Sequence, residues 1–199
     1  MKGESRTSTL ISELREAADR SPESPEAHWK LGTALLRVGF LTQGEQELER
    51  AVELDPGMVK AWVNLGGARL SRWDFQGCID ANRRAIECRP DLVQAHFNQG
   101  LGHLYLGEVA ETIRCFERVV DLDPELAAGR YHLAVGLQAA GRIQEAREEL
   151  AQAMMRGYSP DPDLIREFEK SDAVPSPALV MEFGGAQSGE DESEVNEPR

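Results

Sequence analysis

The chain has 199 residues, of which 41% are hydrophobic and 29% are charged, and its formal net charge is -13. This composition suits one soluble domain, whereas the negative charge disfavours binding to nucleic-acid phosphates or to anionic lipid surfaces. No apolar run has the length of a signal-peptide core or of a membrane span, so we expect a cytoplasmic protein.

Four prolines recur at a constant interval and predict where helices end. Each lies 34 residues after the previous one, and the set is Pro22, Pro56, Pro90 and Pro124. A proline inside a helix costs about 3 kcal/mol, so these positions must lie between helices. Two sets of small residues keep the same frame, namely Gly32, Gly66, Gly100 and Ala134, and then Gly39, Gly107 and Gly141, where Trp73 breaks the series. The sequence is therefore a series of repeated units.

Within each unit the apolar residues follow helical i, i+3, i+4 spacing, as Trp62, Leu65 and Gly66 do in AWVNLGGARL. In chain order, the first predicted helix is 7–22, which matches the second half of a unit. Four pairs follow at 25–38 with 42–54, 59–72 with 75–88, 93–106 with 110–122, and 127–140 with 144–156. The segment DPDLIREFEK then predicts a capping helix at 161–171, with one apolar stripe.

The two ends of the chain have a different composition. Residues 1–6 are expected to be flexible, and residues 172–199 are rich in proline, glycine, serine and acids, which predicts a disordered acidic tail. One apolar run, ALVMEF at 178–183, interrupts this tail. It is interpreted as a chance apolar run or as residues patched onto the last helix; the alternative is a short docking motif, for which the protein's own groove is one site.

Glycines inside the predicted helices indicate how these helices pack. A glycine in a helix interior costs about 1 kcal/mol relative to alanine, so Gly66, Gly67, Gly100 and Gly102 predict close approach between backbones. A single hairpin cannot bury its apolar face, and neighbouring hairpins must stack. The expected fold is all-α: a right-handed superhelical solenoid of helix-turn-helix hairpins with a C-terminal capping helix.

The repeat resembles the tetratricopeptide repeat (TPR) family, through the W-x-x-L-G core of AWVNLGGARL and the LDP segments that close the units. The resemblance covers residues 25–158 and a half-repeat at 7–22. It implies TPR 1 at 25–58, TPR 2 at 59–92, TPR 3 at 93–126 and TPR 4 at 127–160. Four polar residues depart from the family pattern, and they are Arg69, Asn82, Gln99 and His103. They predict either a hydrogen-bonded patch or a softer joint between units.

No arrangement of residues is typical of an active site or a metal centre, and we expect no enzymatic activity and no cofactor. The four histidines are dispersed along the repeats and are interpreted as packing residues. Cys78 and Cys88 lie on one predicted helix, roughly 15 Å apart, which is too far for a disulfide. Reduced, half-buried thiols are therefore expected.

In TPR proteins the first helix of each hairpin lines a concave surface, and the resemblance implies a peptide-binding groove there. The residues that it places in this groove are Trp29, Lys30, Thr33, Lys60, Val63, Asn64, Gly67, Leu70, Gln94, Phe97, Asn98, Leu101, Tyr131, His132 and Val135. Asn64 and Asn98 hold the same position in consecutive units, so each carboxamide can pair with a backbone amide of an extended peptide. Alternatively, both asparagines cap neighbouring backbone groups.

Lys30, Arg37 and Lys60 give the early end of the groove positive charge, so we expect a partner segment with acidic residues. The protein's own segment MEFGGAQSGEDESE also meets this expectation. The resulting hypothesis is a non-enzymatic adaptor, scaffold or assembly factor that binds a peptide or helix of another protein. Two alternatives remain from the sequence, a self-associating structural scaffold and a regulatory subunit of an enzyme complex.

Overall fold

The structure is a computed structural model that describes residues 2–162, 165 and 166, with side chains from residue 8 onward. This part of the chain contains nine α-helices and no strand. The helices are α1 (Lys2–Arg20), α2 (Pro25–Arg37), α3 (Leu41–Leu54), α4 (Val59–Ser71), α5 (Phe75–Cys88), α6 (Val93–Tyr105), α7 (Val109–Leu122), α8 (Ala127–Ala139) and α9 (Ile143–Met155). Each helix packs mainly against its neighbours in the chain, which confirms the predicted all-α solenoid of helical hairpins.

The helix bounds follow the repeat pattern closely. Each helix from α2 to α9 begins and ends within one residue of its predicted position. The helix α1 begins at Lys2, earlier than the predicted residue 7, and ends before Pro22. Residues 162, 165 and 166 are helical, but most of the predicted capping helix and all of the tail 172–199 with its ALVMEF run lie outside the described residues. The division into repeats and end segments stays a prediction.

The four periodic prolines lie in the turns between hairpins, as predicted. In each turn a side chain six residues further on donates a hydrogen bond to the proline carbonyl. The four donor and acceptor pairs are His28 Nε2 to Pro22 at 3.0 Å, Trp62 Nε1 to Pro56 at 2.8 Å, His96 Nε2 to Pro90 at 2.9 Å and Arg130 Nε to Pro124 at 3.0 Å. Histidine, tryptophan and arginine can thus all make this hydrogen bond, because the side chain of each carries an N–H group that reaches the proline carbonyl.

Small residues allow the two helices of a hairpin to nest. A Cβ added at Gly32 would lie 2.9 Å from Leu48 Cγ, and one added at Gly100 would lie 2.9 Å from Phe116 Cε2. Close packing of this kind leaves no room for a side chain. The prediction for Gly67 is wrong, because the nearest atom to an added Cβ there is 3.9 Å away.

The turn inside each hairpin requires a left-handed backbone. Gly39, Gly107 and Gly141 hold φ angles of 83°, 73° and 76°. This region favours glycine, which has no Cβ to clash with the following carbonyl. Trp73 occupies the equivalent position of the second unit with φ 64°.

The four polar residues that depart from the family pattern each bond elsewhere. Their partners are Glu45 and Glu49 for Arg69, the Cys78 carbonyl for Asn82, Cys115 for Gln99 and Glu108 for His103. The prediction of one shared hydrogen-bonded patch is therefore wrong, because no hydrogen bond joins any two of these four residues within the described part of the chain. A softer joint between the units stays a prediction.

Candidate functional site

The first helices of successive hairpins lie side by side. The helix α4 contacts both α2 and α6, so that their side chains form one continuous surface. We call this the inner surface; it comprises the predicted groove residues of α2, α4 and α6. Three contacts across helices bring these residues together, and they are Thr33 with Asn64, Trp29 with Lys60, and Gly67 with Asn98.

Asn64 is held in place by the neighbouring unit. Its Nδ2 donates a hydrogen bond to Thr33 Oγ1 at 2.8 Å, and the Thr33 hydroxyl donates to the Trp29 carbonyl at 2.8 Å. This chain of bonds fixes the rotamer of the amide and uses one of its donors. The Asn64 Oδ1 atom accepts no hydrogen bond within the described part of the chain, so it remains an acceptor for a ligand.

In Asn98 the amide oxygen, and not the amide nitrogen, is bonded within the protein. Its Oδ1 accepts a hydrogen bond from Gln94 Nε2 at 2.8 Å, and its side chain is largely buried, with 7% of the residue exposed. The Nδ2 group has no acceptor among the described residues. Gly67 faces this group from α4, and a Cβ there would lie 3.9 Å from Asn98 Nδ2. The absent side chain at Gly67 therefore leaves space beside the amide donor between α4 and α6.

The two lysines at the positive end of the inner surface are already paired. Lys60 Nζ lies 2.5 Å from Glu26 Oε2 and 3.7 Å from the centroid of the Trp29 ring, where it makes a cation–π contact. Lys30 Nζ lies 3.5 Å from the same carboxylate. The hydrogen bond from Lys60 and the charges of both lysines lower the pKa of Glu26. An acidic partner would have to share these lysines with Glu26.

The apolar residues of the predicted groove differ in accessibility. Val63, Gly67, Leu70, Phe97 and Leu101 are partly buried and contribute to the surface. In the fourth unit, by contrast, Tyr131, His132 and Val135 are at most 3% exposed, so the structure presents none of them to a ligand. The accessible part of the predicted site is thus confined to α2, α4 and α6.

His132 belongs to the aromatic core instead. Its ring stacks on Phe116 with centroids 5.1 Å apart and meets Phe97 edge to face at 5.4 Å and Tyr131 at 5.0 Å. Neither ring nitrogen has a hydrogen-bond partner within the described residues. Burial without a partner lowers the pKa of His132 to about 4, so the ring is neutral near neutral pH.

The described residues contain no cluster of acidic, histidine or cysteine side chains that could hold a metal ion. Burial raises the pKa of the Cys78 thiol to about 12 and that of Cys115 to about 11, so neither thiol is a ready nucleophile. The expectation of half-buried thiols is wrong for all three cysteines, because Cys78 and Cys115 are buried and Cys88 is exposed. Among the described helices, none is long and apolar enough to cross a membrane.

Sequence reasoning missed a second surface feature. Trp73, Phe75 and Tyr105 form a three-ring cluster at the turn between α4 and α5 and the end of α6. The available signal was Trp73 itself, which stands where the other hairpins have glycine.

Comparison with known proteins agrees with this fold. A tetratricopeptide repeat family model matches residues 30–92 and 97–162, which together make up more than half of the chain. The chain therefore belongs to the tetratricopeptide repeat family. Proteins of this family are modules of protein–protein interaction, and this chain is such a module. A comparison with curated proteins gives no significant match.

Several solved structures are similar. A crystal structure of MamA has a TM-score of 0.73 at 22% identity, and the match covers 78% of this chain and 91% of MamA. A second MamA crystal structure has a TM-score of 0.72 at 20% identity and covers 88% and 92%. MamA from residue 41 to its end, from Desulfovibrio magneticus RS-1, has a TM-score of 0.71 at 20% identity, covering 75% and 85%. At these identities the likeness establishes the shared fold.

Proposed function

We propose that this protein is a non-enzymatic, cytoplasmic adaptor, scaffold or assembly factor that holds an extended peptide or a helix of another protein on its inner surface. The observation that carries the proposal is the pair Asn64 and Asn98. One amide offers an acceptor and the other a donor, in consecutive units and across the open position at Gly67. An extended peptide backbone presents a donor and an acceptor at each residue, so it can satisfy both amides.

The affinity would come mainly from apolar contacts. Val63, Leu70, Phe97 and Leu101 are partly exposed on α4 and α6, the helices that carry the two amides, and burial contributes about 25 cal/mol per Å² of apolar area. Each new hydrogen bond adds about 1 kcal/mol net. The amides therefore set the register of the bound segment, while the apolar residues supply most of the binding free energy. An acidic residue of the partner near Lys30 and Lys60 would compete with Glu26 for both cations.

The proposal is tested by affinity capture from native lysate with two double variants. Asn64→Ala with Asn98→Ala should reduce capture of the partner while the helicity and melting temperature stay near those of the parent. Gln76→Ala with Gln144→Ala is the matched control, since both glutamines are exposed on second helices of their hairpins. Equal capture by the parent and the asparagine variant would contradict the groove assignment.

The alternative, a self-associating scaffold, is favoured by exposed apolar side chains near both ends of the described solenoid. Leu10 on α1 is 47% exposed and Met155 at the end of α9 is 77% exposed. Such residues can join one molecule end to end with the next. Sedimentation distinguishes the two functions, because a 22.0 kDa species that does not change with concentration contradicts self-association.

A further inference from the structure

The aromatic cluster of Trp73, Phe75 and Tyr105 lies apart from the inner surface. The rings of Phe75 and Tyr105 stack with centroids 4.6 Å apart and an interplanar angle of 5°. Trp73 meets both edge to face, at 6.0 Å from Phe75 and 6.1 Å from Tyr105. Trp73 is 70% exposed, so the cluster presents its indole to solvent, packed against the rings of Phe75 and Tyr105. Rings held in this way lose little conformational freedom when they bind a partner.

The backbone position of Trp73 indicates that its side chain serves recognition. Its φ angle is 64°, in the left-handed region that residues with a Cβ disfavour. Gly39, Gly107 and Gly141 make the same turn in the other hairpins. The turn therefore needs no side chain. Packing does not explain the tryptophan either, because most of the residue is exposed. Unfavourable backbone conformations concentrate at functional positions, and exposed tryptophans are common anchors of interfaces.

The charges beside the cluster suit a cationic partner. The nearby cations Arg69 and Arg72 are both paired with Glu45, so they do not oppose such a partner strongly. The side chain of Asp74, between Trp73 and Phe75 in the sequence, is 52% exposed; its Oδ1 accepts a hydrogen bond from Gly77 N at 2.9 Å, and its Oδ2 lies 4.0 Å from Arg69 Nε. The side chain of Glu108, three residues after Tyr105, is 46% exposed and bonds to His103 Nδ1 at 2.5 Å. An arginine guanidinium stacks on aromatic rings and pairs with carboxylates. This surface offers the rings, together with two half-exposed carboxylates that an arginine would share with Arg69 and His103.

We propose that Trp73, Phe75 and Tyr105 form a second binding site, which takes an arginine-bearing segment of a partner protein, with Asp74 and Glu108 facing its cations. The net charge of -13 attracts a basic segment from a distance. The protein's own residues 172–199 do not suit this site, because they contain seven carboxylates and Arg199 as their single cation.

The test uses the full-length, ¹⁵N-labelled protein and two peptides. One peptide has two arginines among uncharged residues, and the other has citrulline in place of each arginine. Citrulline keeps the shape of arginine and removes its charge. The three tryptophan indoles give separate probes, and the variant Trp73→Gly assigns the signal of Trp73. We expect the arginine peptide to shift the Trp73 indole, while Trp29 and Trp62 stay unchanged, and to bind about tenfold more tightly than the citrulline peptide.

Trp73→Gly should weaken arginine-peptide binding about fivefold and change the melting temperature by less than about 4 °C, since glycine is the residue of the other turns. Trp73→Asn, which also tolerates a left-handed backbone, is the second variant if the first is unstable. Unchanged peptide affinity in a folded variant overturns the proposal. The proposal is also overturned if the peptide shifts signals of residues on other acidic surfaces. A Trp73 signal that moves with protein concentration alone would overturn it too, because it would assign the cluster to contact with a second copy of the chain.

Discussion

The Asn82 side chain occupies the space above Gly66, where a Cβ added to the glycine would overlap Asn82 Nδ2 and lie 2.8 Å from Asn82 Cγ. Gly67, the next residue, has open space in the corresponding direction, with no atom closer than 3.9 Å. Two adjacent glycines of one helix therefore serve different purposes. Gly66 permits the nesting of α4 on α5, whereas Gly67 leaves the inner surface open.

This difference predicts opposite effects of alanine at the two positions. Gly67→Ala should raise the free energy of unfolding by about 0.5–1 kcal/mol, because alanine is the better helix former and meets no clash. Gly66→Ala should lower it by about 1 kcal/mol or more, since overpacking outweighs the gain in helix propensity. Urea unfolding measures both. Equal stabilisation by the two substitutions would show that the Asn82 side chain moves aside without lowering the free energy of unfolding.

Replacing Asn82 by leucine should stabilise the protein. Asn82 is fully buried, its Nδ2 donates to the Cys78 carbonyl at 2.9 Å, and its Oδ1 has no partner among the described residues. A buried unpaired polar atom costs about 1–3 kcal/mol, and leucine has nearly the same shape. We expect Asn82→Leu to raise the unfolding free energy by about 1 kcal/mol and Asn82→Ala, which leaves a cavity, to lower it. A destabilised leucine variant would indicate that the amide is needed.

The bond to the proline carbonyl should depend on the N–H group and not on the residue type. His96 Nε2 bonds to Pro90 at 2.9 Å, and Trp62 makes the equivalent bond to Pro56 with its indole at 2.8 Å. His96→Phe should therefore cost about 1 kcal/mol of unfolding free energy, while His96→Trp should retain most of the stability. Thermal and urea unfolding of both variants provide the check. If phenylalanine and tryptophan behave alike, the hydrogen bond contributes nothing measurable.

His132 should make stability depend on pH. Its pKa is about 4 in the folded protein and 6.5 in the reference state. Between these values the unfolded chain binds a proton that the folded protein excludes, so stability is full above pH 6.5 and falls as the pH is lowered toward 4. From neutral pH to near pH 5 the loss is on the order of 2 kcal/mol.

The variant His132→Leu isolates this contribution, because the carboxylates titrate in both proteins and cancel in the comparison. The parent should lose more unfolding free energy than the variant between neutral pH and near pH 5. Identical pH profiles would show that the ring is protonated in the folded state.

The hairpin pattern was predictable from the sequence because it repeats. Proline and glycine act on the backbone locally, so Pro56, Pro90 and Gly107 mark their turns without knowledge of the tertiary structure. Accessibility was less predictable. Tyr131 and His132 occupy repeat positions that line the groove in other units, yet both residues are buried. Their exposure depends on which aromatic rings surround them. The Trp73 cluster joins residues from two units, and periodicity does not reveal contacts made by a residue that departs from the period.

Site-specific photo-crosslinking of the captured partner shows whether the partner lies on the inner surface. A benzophenone residue is placed at position 63, on α4 beside Asn64, and in a control protein at position 118, which is exposed on α7. If the partner lies on the inner surface, position 63 should crosslink to it and position 118 should not, with equal melting temperatures for the two proteins. A crosslink from position 118 alone would place the partner on α7 and exclude the inner surface as its binding site.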